Sequence, residues 1–180
     1  MKNHIKIGLT LLGVVISLIG FAQDFSAVCK KEMSQFGFLT GEWVGEGWVI
    51  TPQGSRENSM VTESIAYDLN NTVISLRGTG TAERNGDKTR VHDALGVLYY
   101  DPFTKKVNMD SWIARGMSTK ADLELLGEGK MKWWFPAGPN RVIRYTINIE
   151  NDKWNEVGEM SSDKGETWVQ FFEMNLTKQN

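Results

Sequence analysis

From Gly41 to the C-terminus, apolar and polar residues alternate with a period of two. Ile143, Tyr145, Ile147 and Ile149 fall on one face of a run whose other face carries Arg144, Thr146, Asn148 and Glu150, the pattern of a strand with one side buried. Such runs, rich in Val, Ile, Thr, Trp and Tyr, are separated by Asn70-Asn71, Asn85-Gly86-Asp87, Asp101-Pro102, residues 136–140, Asn151-Asp152 and residues 161–168, stretches whose residues suit turn conformations. The spacing predicts strands over 42–51, 60–68, 72–83, 89–100, 106–114, 119–126, 130–135, 141–150, 153–160 and 167–177. That many short strands with hairpin-sized connections specify an all-β chain, either a sandwich or an antiparallel up-and-down barrel. The last run favours the barrel. Trp168, Phe172, Met174 and Leu176 oppose Val169, Phe171, Glu173 and Asn175, as expected where one face lines a lumen and the other meets a helix or a neighbouring strand. No Gly-rich linker or full-length repeat interrupts the pattern, and residues 38–180 read as one barrel domain.

Before Gly37 the period is helical. Phe25, Val28, Cys29, Met33 and Phe36 share one side of a segment spanning 24–36, with Asp24 placed to cap its start and Gly37 to end it in the left-handed conformation. Residues 23–37 therefore form a short helix that packs over one end of the sheet. Cys29 is the single cysteine, so no internal disulfide forms, and its place on the apolar side reads as a small buried residue.

The first 22 residues follow a different grammar. Lys2 and Lys6 precede an uncharged apolar run from Ile7 to Phe21, and Gly20-Phe21-Ala22 offers small residues for cleavage after Ala22, the layout of a secretory signal peptide. A retained anchor is the rival reading, although the run is short for a bilayer. Cleavage leaves no integral membrane segment and a chain destined for the periplasm or the exterior. The formal net charge of −2 becomes more acidic when Lys2 and Lys6 are lost, and no basic patch remains to suit nucleic acid. Oligomeric state is not legible in the sequence.

Ser161-Ser162-Asp163-Lys164-Gly165-Glu166-Thr167-Trp168 reads S-x-D-x-G-x-T-W and resembles the Asp box, a hairpin turn found in sialidases and other β-rich secreted proteins. Asp163 would bond backbone N–H groups across the turn, Gly165 would supply a positive φ, and Trp168 would pack beneath. The motif sets architecture and carries no chemistry. A sialidase needs several propeller blades and repeated boxes, and one box is present.

The opening strand, Gly41-Glu42-Trp43-Val44-Gly45-Glu46-Gly47-Trp48, holds G-x-W followed by G-x-G. It resembles the first strand of lipocalin-like barrels, particularly nitrobindin-type barrels and the bacterial domain-of-unknown-function family 1579. Arg144-Tyr145-Thr146, Glu156-Val157-Gly158-Glu159 and residues 168–177 are similar to the closing strands of the latter family. The resemblance implies a ten-stranded barrel whose closed end is sealed by Trp43, and it implies no established activity. Nitrobindin-type barrels hold haem through a histidine on a C-terminal strand. No histidine follows His92 here, and His4 lies in the leader, so haem is not expected and no other cofactor or metal is implied.

Candidate ligand-binding residues are Arg77, His92, Trp112 and Arg144. Arg77 stands beside Gly78 and Gly80, which permit close approach of a backbone or ligand. His92 precedes Asp93 and reads either as a hydrogen-bonded strand residue or as a polar contact or general base in the lumen. Trp112, near Asp110 and Arg115, suits a barrel mouth, and Arg144 suits either a ligand or a stacking contact on Trp43. Trp133 and Trp134 are consecutive and must point to opposite faces. The leading function is a small-ligand-binding barrel for an apolar or amphiphilic molecule. A hydrolase-like enzyme using Glu42, Glu46, Glu63, Glu156, Glu159 or His92 is the second reading, with no catalytic residue assigned. A filled barrel acting as a structural or interaction module is the third.

Overall fold

The computed structural model describes residues 23–179; the signal-peptide and cleavage expectations for 1–22 lie outside them. Ten strands run β1 (Gly41–Ile50), β2 (Arg56–Asp68), β3 (Val73–Arg84), β4 (Asp87–Asp101), β5 (Lys106–Ile113), β6 (Ser118–Gly127), β7 (Lys130–Pro136), β8 (Val142–Glu150), β9 (Lys153–Ser161) and β10 (Val169–Lys178). Each pairs antiparallel with its sequence neighbours, and β1 pairs with β10, so the sheet closes into a barrel. Closure gives each described strand two partners, with β5 and β6 paired only over Met109–Trp112 and Ser118–Ala121. Asn85-Gly86 and Asn151-Asp152 take positive φ values of 55° and 86°, and of 50° and 58°, as two-residue hairpin turns demand.

The helix α1 (Ser26–Ser34) is shorter than its periodicity predicts. Phe25 occupies the cap position, while Asp24 accepts the Ser26 N–H at 2.8 Å. Gly37 does not end the helix in the left-handed conformation. It begins a 3-10 turn, Gly37–Leu39, that leads straight into β1, and a Cβ at Gly37 would lie 2.8 Å from the Tyr67 hydroxyl. Helix and turn deliver Met33, Phe36 and Leu39, each 2% exposed or less, into the barrel end formed by Trp43, Ile74, Leu98 and Leu176. The Trp43 indole donates to the Leu39 carbonyl at 2.8 Å and meets Trp154 edge-on, ring centroids 5.4 Å apart. Phe25 packs on Phe103 and holds the outer side of the helix. The described helix is too short to cross a membrane.

Candidate functional site

Register decides which side chains enter the barrel. Trp43 stands opposite Glu63, Glu63 opposite Gly78, and Gly78 opposite Ala94, so all four share the inner face. On the other side of the ring, Trp133, Tyr145 and Gly158 form one row, and Glu156 lies between Ile147 and Met174. At the helix end Met33, Leu39, Trp43, Ile74 and Leu98 are completely buried. Other inward residues, among them Leu76, Leu123, Trp133, Phe135, Tyr145 and Phe172, are only partly buried. Met33, Leu39 and Trp43 plug the helix end, and the inward rings beyond them are less completely buried.

An aromatic wall lines one side of the interior beyond the plug. Trp133 stacks on Tyr145, centroids 4.2 Å apart with the planes 13° from parallel, and Phe135 lies 5.9 Å from Trp133. A register shift between Gln170 and Phe172 is the β-bulge that brings both Phe171 and Phe172 edge-on to Tyr145, at 5.9 and 5.6 Å. Two adjacent phenylalanines therefore serve the same cluster, where alternation alone sends one of them outward. Gly158 makes room for the wall: a Cβ there would sit 2.7 Å from Tyr145 Cε1 and 2.9 Å from Phe172 Cβ.

Two carboxyl groups lie beneath this wall, one step above the tryptophan plug. Glu156 is 6% exposed and its Oε1 accepts the Trp133 indole N–H at 3.3 Å. Burial pushes its pKa up to about 8, and the Glu63 carboxyl adds to the rise. Burial likewise pushes Glu63 to about 7. Among the described residues, neither carboxyl meets a cation; the ion pairs engage Asp93, Glu57, Glu124 and Glu159. Gly78 clears the space for Glu63, since a Cβ there would lie 2.6 Å from its Oε1. Burial, helped by the charge of Glu156, raises the Tyr145 hydroxyl above its ordinary value, so the phenol remains neutral.

The residues singled out from sequence are scattered. His92 faces inward opposite Gly80, at the open rim, where partial burial lowers its pKa, Asp93 opposes that shift and Arg115 adds to it. Arg77 is on the outer face and pairs with Asp93 at 2.7 Å. Trp112 lies on the outer face beside Leu95 and is 45% exposed. Arg144 is also outside: its guanidinium stacks 3.7 Å over the Trp168 ring and its Nε donates to Glu159 at 2.8 Å. It does not stack on Trp43, which lies inside and has Lys178 Nζ 5.2 Å from its ring. Of the five carboxylates weighed for acid–base chemistry, Glu63 and Glu156 enter the lumen; Glu42, Glu46 and Glu159 face out. The distinguishing signal was parity. Glu63 shares its face with Val61 and Ile65, and Glu156 shares its face with Trp154 and Gly158, so each is a charge in an otherwise apolar row.

The Ser161–Trp168 loop is internally bonded and lies between β9 and β10. The Ser161 hydroxyl donates to Asp163 Oδ1 at 2.6 Å and accepts the Gly165 N–H at 2.7 Å. The Thr167 N–H donates to Asp163 Oδ1 at 2.9 Å, and the Trp168 indole donates to the Gly165 carbonyl at 3.0 Å. Hydrogen bonds from Ser161 and Thr167 hold the Asp163 carboxyl well below the usual carboxylate range. Two further concavities lie along Asn148, Asn155 and Asn175 and along Arg56, Glu57 and Arg84; Asn155 bonds Asn175 and Arg84 bonds Glu57, while the buried Asn148 Oδ1 has no partner among the described residues.

No protein-family model and no curated protein matches the chain. Solved structures do. Rv2717c from M. tuberculosis superposes with a TM-score of 0.60 at 13% identity, covering 82% of this chain and 97% of that one. The S-type phycobiliprotein lyase CPES from Guillardia theta superposes with a TM-score of 0.57 at 9% identity, covering 88% and 99%. At these identities the likeness concerns the fold. The chain is a closed, ten-stranded lipocalin-like barrel with one end plugged.

Proposed function

We propose that this protein binds a small apolar or amphiphilic molecule in the open part of its barrel. The observation that carries the reading is the aromatic wall of Trp133, Phe135, Tyr145 and Phe172, less completely buried than the sealed floor beneath it. A filled structural barrel would bury these inward rings as completely as it buries Trp43. Apolar walls with a few converging polar groups are the usual build of a small-molecule site, and here Glu63, Glu156 and, at the rim, His92 supply the polar groups. The N-terminal leader is proposed to be removed after Ala22, leaving a secreted or periplasmic barrel akin to family 1579, which the opening G-x-W strand resembles.

A second reading, a hydrolase-like enzyme, is favoured by one observation: two lumen carboxyls whose pKa values of about 7 and about 8 suit general acid–base work near neutrality. Binding is tested by titrating the protein with octanol while following tryptophan fluorescence, and by native mass spectrometry for a co-purified molecule. A saturable change that disappears in Trp133→Phe supports the reading. No response to octanol, octylamine or octanoate contradicts it.

A further inference from the structure

We propose that the lumen recognises an organic ammonium group, a primary amine on an apolar body, held by Glu63 and Glu156 against the Trp133–Tyr145 wall. The inference rests on the ligand-binding reading and adds the charge of the ligand to it.

The arrangement supplies negative charge without an internal counterion. Glu63 is deeply set and makes no hydrogen bond or ion pair among the described residues. The Glu156 carboxyl is positioned by the Trp133 indole. The neighbouring Trp154 indole N–H is buried without a partner of its own and bears on the same carboxyl, favouring its ionised form. Donors aimed at a carboxylate stabilise its charge, and burial opposes it. Burial, and for Glu156 the neighbouring Glu63 carboxyl, keeps the pair partly protonated near neutrality. Glycines keep the place open: a methyl group at Gly78 would meet the Glu63 carboxyl, and one at Gly47 would stand 3.0 Å from Met174 Cβ and 3.2 Å from Val61 Cγ2, between β2 and β10.

Chemistry selects among the possible occupants. A carboxylate or phosphate would face two acidic groups. A metal ion would want more oxygen ligands than two, and no group of three or more metal-binding side chains exists among the described residues. An alkylammonium has three N–H donors, enough for both carboxyls, and its charge is attracted to aromatic faces such as those of Trp133 and Tyr145. Its apolar body would run towards the rim past Phe135 and Phe171. By register the inner face also carries Tyr67, Tyr100 and Lys178 towards the plugged end, and His92 with the paired Glu57 and Arg84 towards the opposite rim; the Tyr145 phenol in the wall is neutral.

The test compares octylamine, octanol and octanoate, equal in chain length, by isothermal titration with the parent protein, Glu63→Gln, Glu156→Gln and the outer-face control Arg77→Ala. Circular dichroism confirms the fold of each. Octylamine is expected to bind about tenfold or more tighter than octanol, the range of a hydrogen bond to a charged group, with octanoate weakest. Either Gln variant should remove that preference while leaving octanol affinity within about threefold, and Arg77→Ala should change nothing. Equal binding of amine and alcohol, or a preference that survives both Gln variants, overturns the ammonium proposal and leaves the lumen site standing. Failure of all three to bind overturns both.

Discussion

Gly78 stands directly across the β2–β3 ladder from Glu63, and a methyl group at Gly78 would lie 2.6 Å from the Glu63 carboxyl. On the opposite wall, Gly158 has the same relation to Tyr145. The two glycines differ in what must yield. At Gly78 the obstacle is the end of a flexible side chain, so Gly78→Ala should keep the melting temperature within a few degrees of the parent while weakening octylamine binding about tenfold, since the carboxyl must move. At Gly158 the obstacles are a stacked ring and a Cβ, and Gly158→Ala should cost about 1–3 kcal/mol by overpacking. Denaturant melts and parallel titrations check both; equal effects of the two substitutions on stability would argue against this view of the lumen.

The lumen carboxyls give stability a definite pH dependence. Glu63 and Glu156 have folded-state pKa values of about 7 and about 8, above the ordinary 4.5. The folded protein therefore binds more protons than the unfolded chain in this interval. Their contribution is intact below about pH 4.5 and is lost as the pH rises through 7 and 8. Glu156→Gln should melt higher than the parent above about pH 8 and close to it near pH 5. A constant difference across that range would contradict the assignment.

The Asp163 loop should matter for stability and not for the ligand. Asp163→Ala removes the acceptor of the Ser161 hydroxyl and the Thr167 N–H, so the melting temperature should fall. Octanol and octylamine titrations should be unchanged, because the Asp163 bonds stay within the loop and the Lys164 N–H reaches only the Asn140 carbonyl between β7 and β8. Lost binding with unaltered melting would place the loop in the site.

Ten strands were legible because alternation, turn residues and strand length all report local backbone, and the observed bounds differ mostly by one to four residues. The helix end departs from its sequence pattern at Gly37, where contact with Tyr67 and the 3-10 turn prevail over the usual glycine stop. Arg77, Trp112 and Arg144 were attractive for their residue types. Which face they occupy depends on the pairing register around a closed ring, and on the bulge at Phe171, neither of which local pattern states. Glu63 and Glu156 were visible as carboxylates in apolar rows, but their meeting depends on closure between β1 and β10. Trp43 shows the complementary case: its role as a seal followed from the resemblance of its strand, and its 0% exposure agrees.

The plug is expected to carry much of the stability. Leu39 is wholly buried beside Trp43 and Met33, and Leu39→Ala should cost about 2–5 kcal/mol as lost burial plus a cavity. The urea midpoint should drop with little change in slope. A loss below about 1 kcal/mol would mean that the helix end packs loosely.

The most direct measurement uses the indole N–H resonances of the seven tryptophans in a nitrogen–proton correlation spectrum, assigned by single Trp→Phe variants, during titration with octylamine. Trp133 and Trp154 adjoin Glu156 inside the barrel, whereas Trp48, Trp112, Trp134 and Trp168 face outward, three of them beside Arg56, Lys132 and Arg144. Binding in the lumen should shift the Trp133 and Trp154 signals saturably and leave those of Trp112 and Trp134 in place. Movement of Trp112 or Trp134 with a static Trp133 would put the ligand on the outer surface and contradict the proposed site.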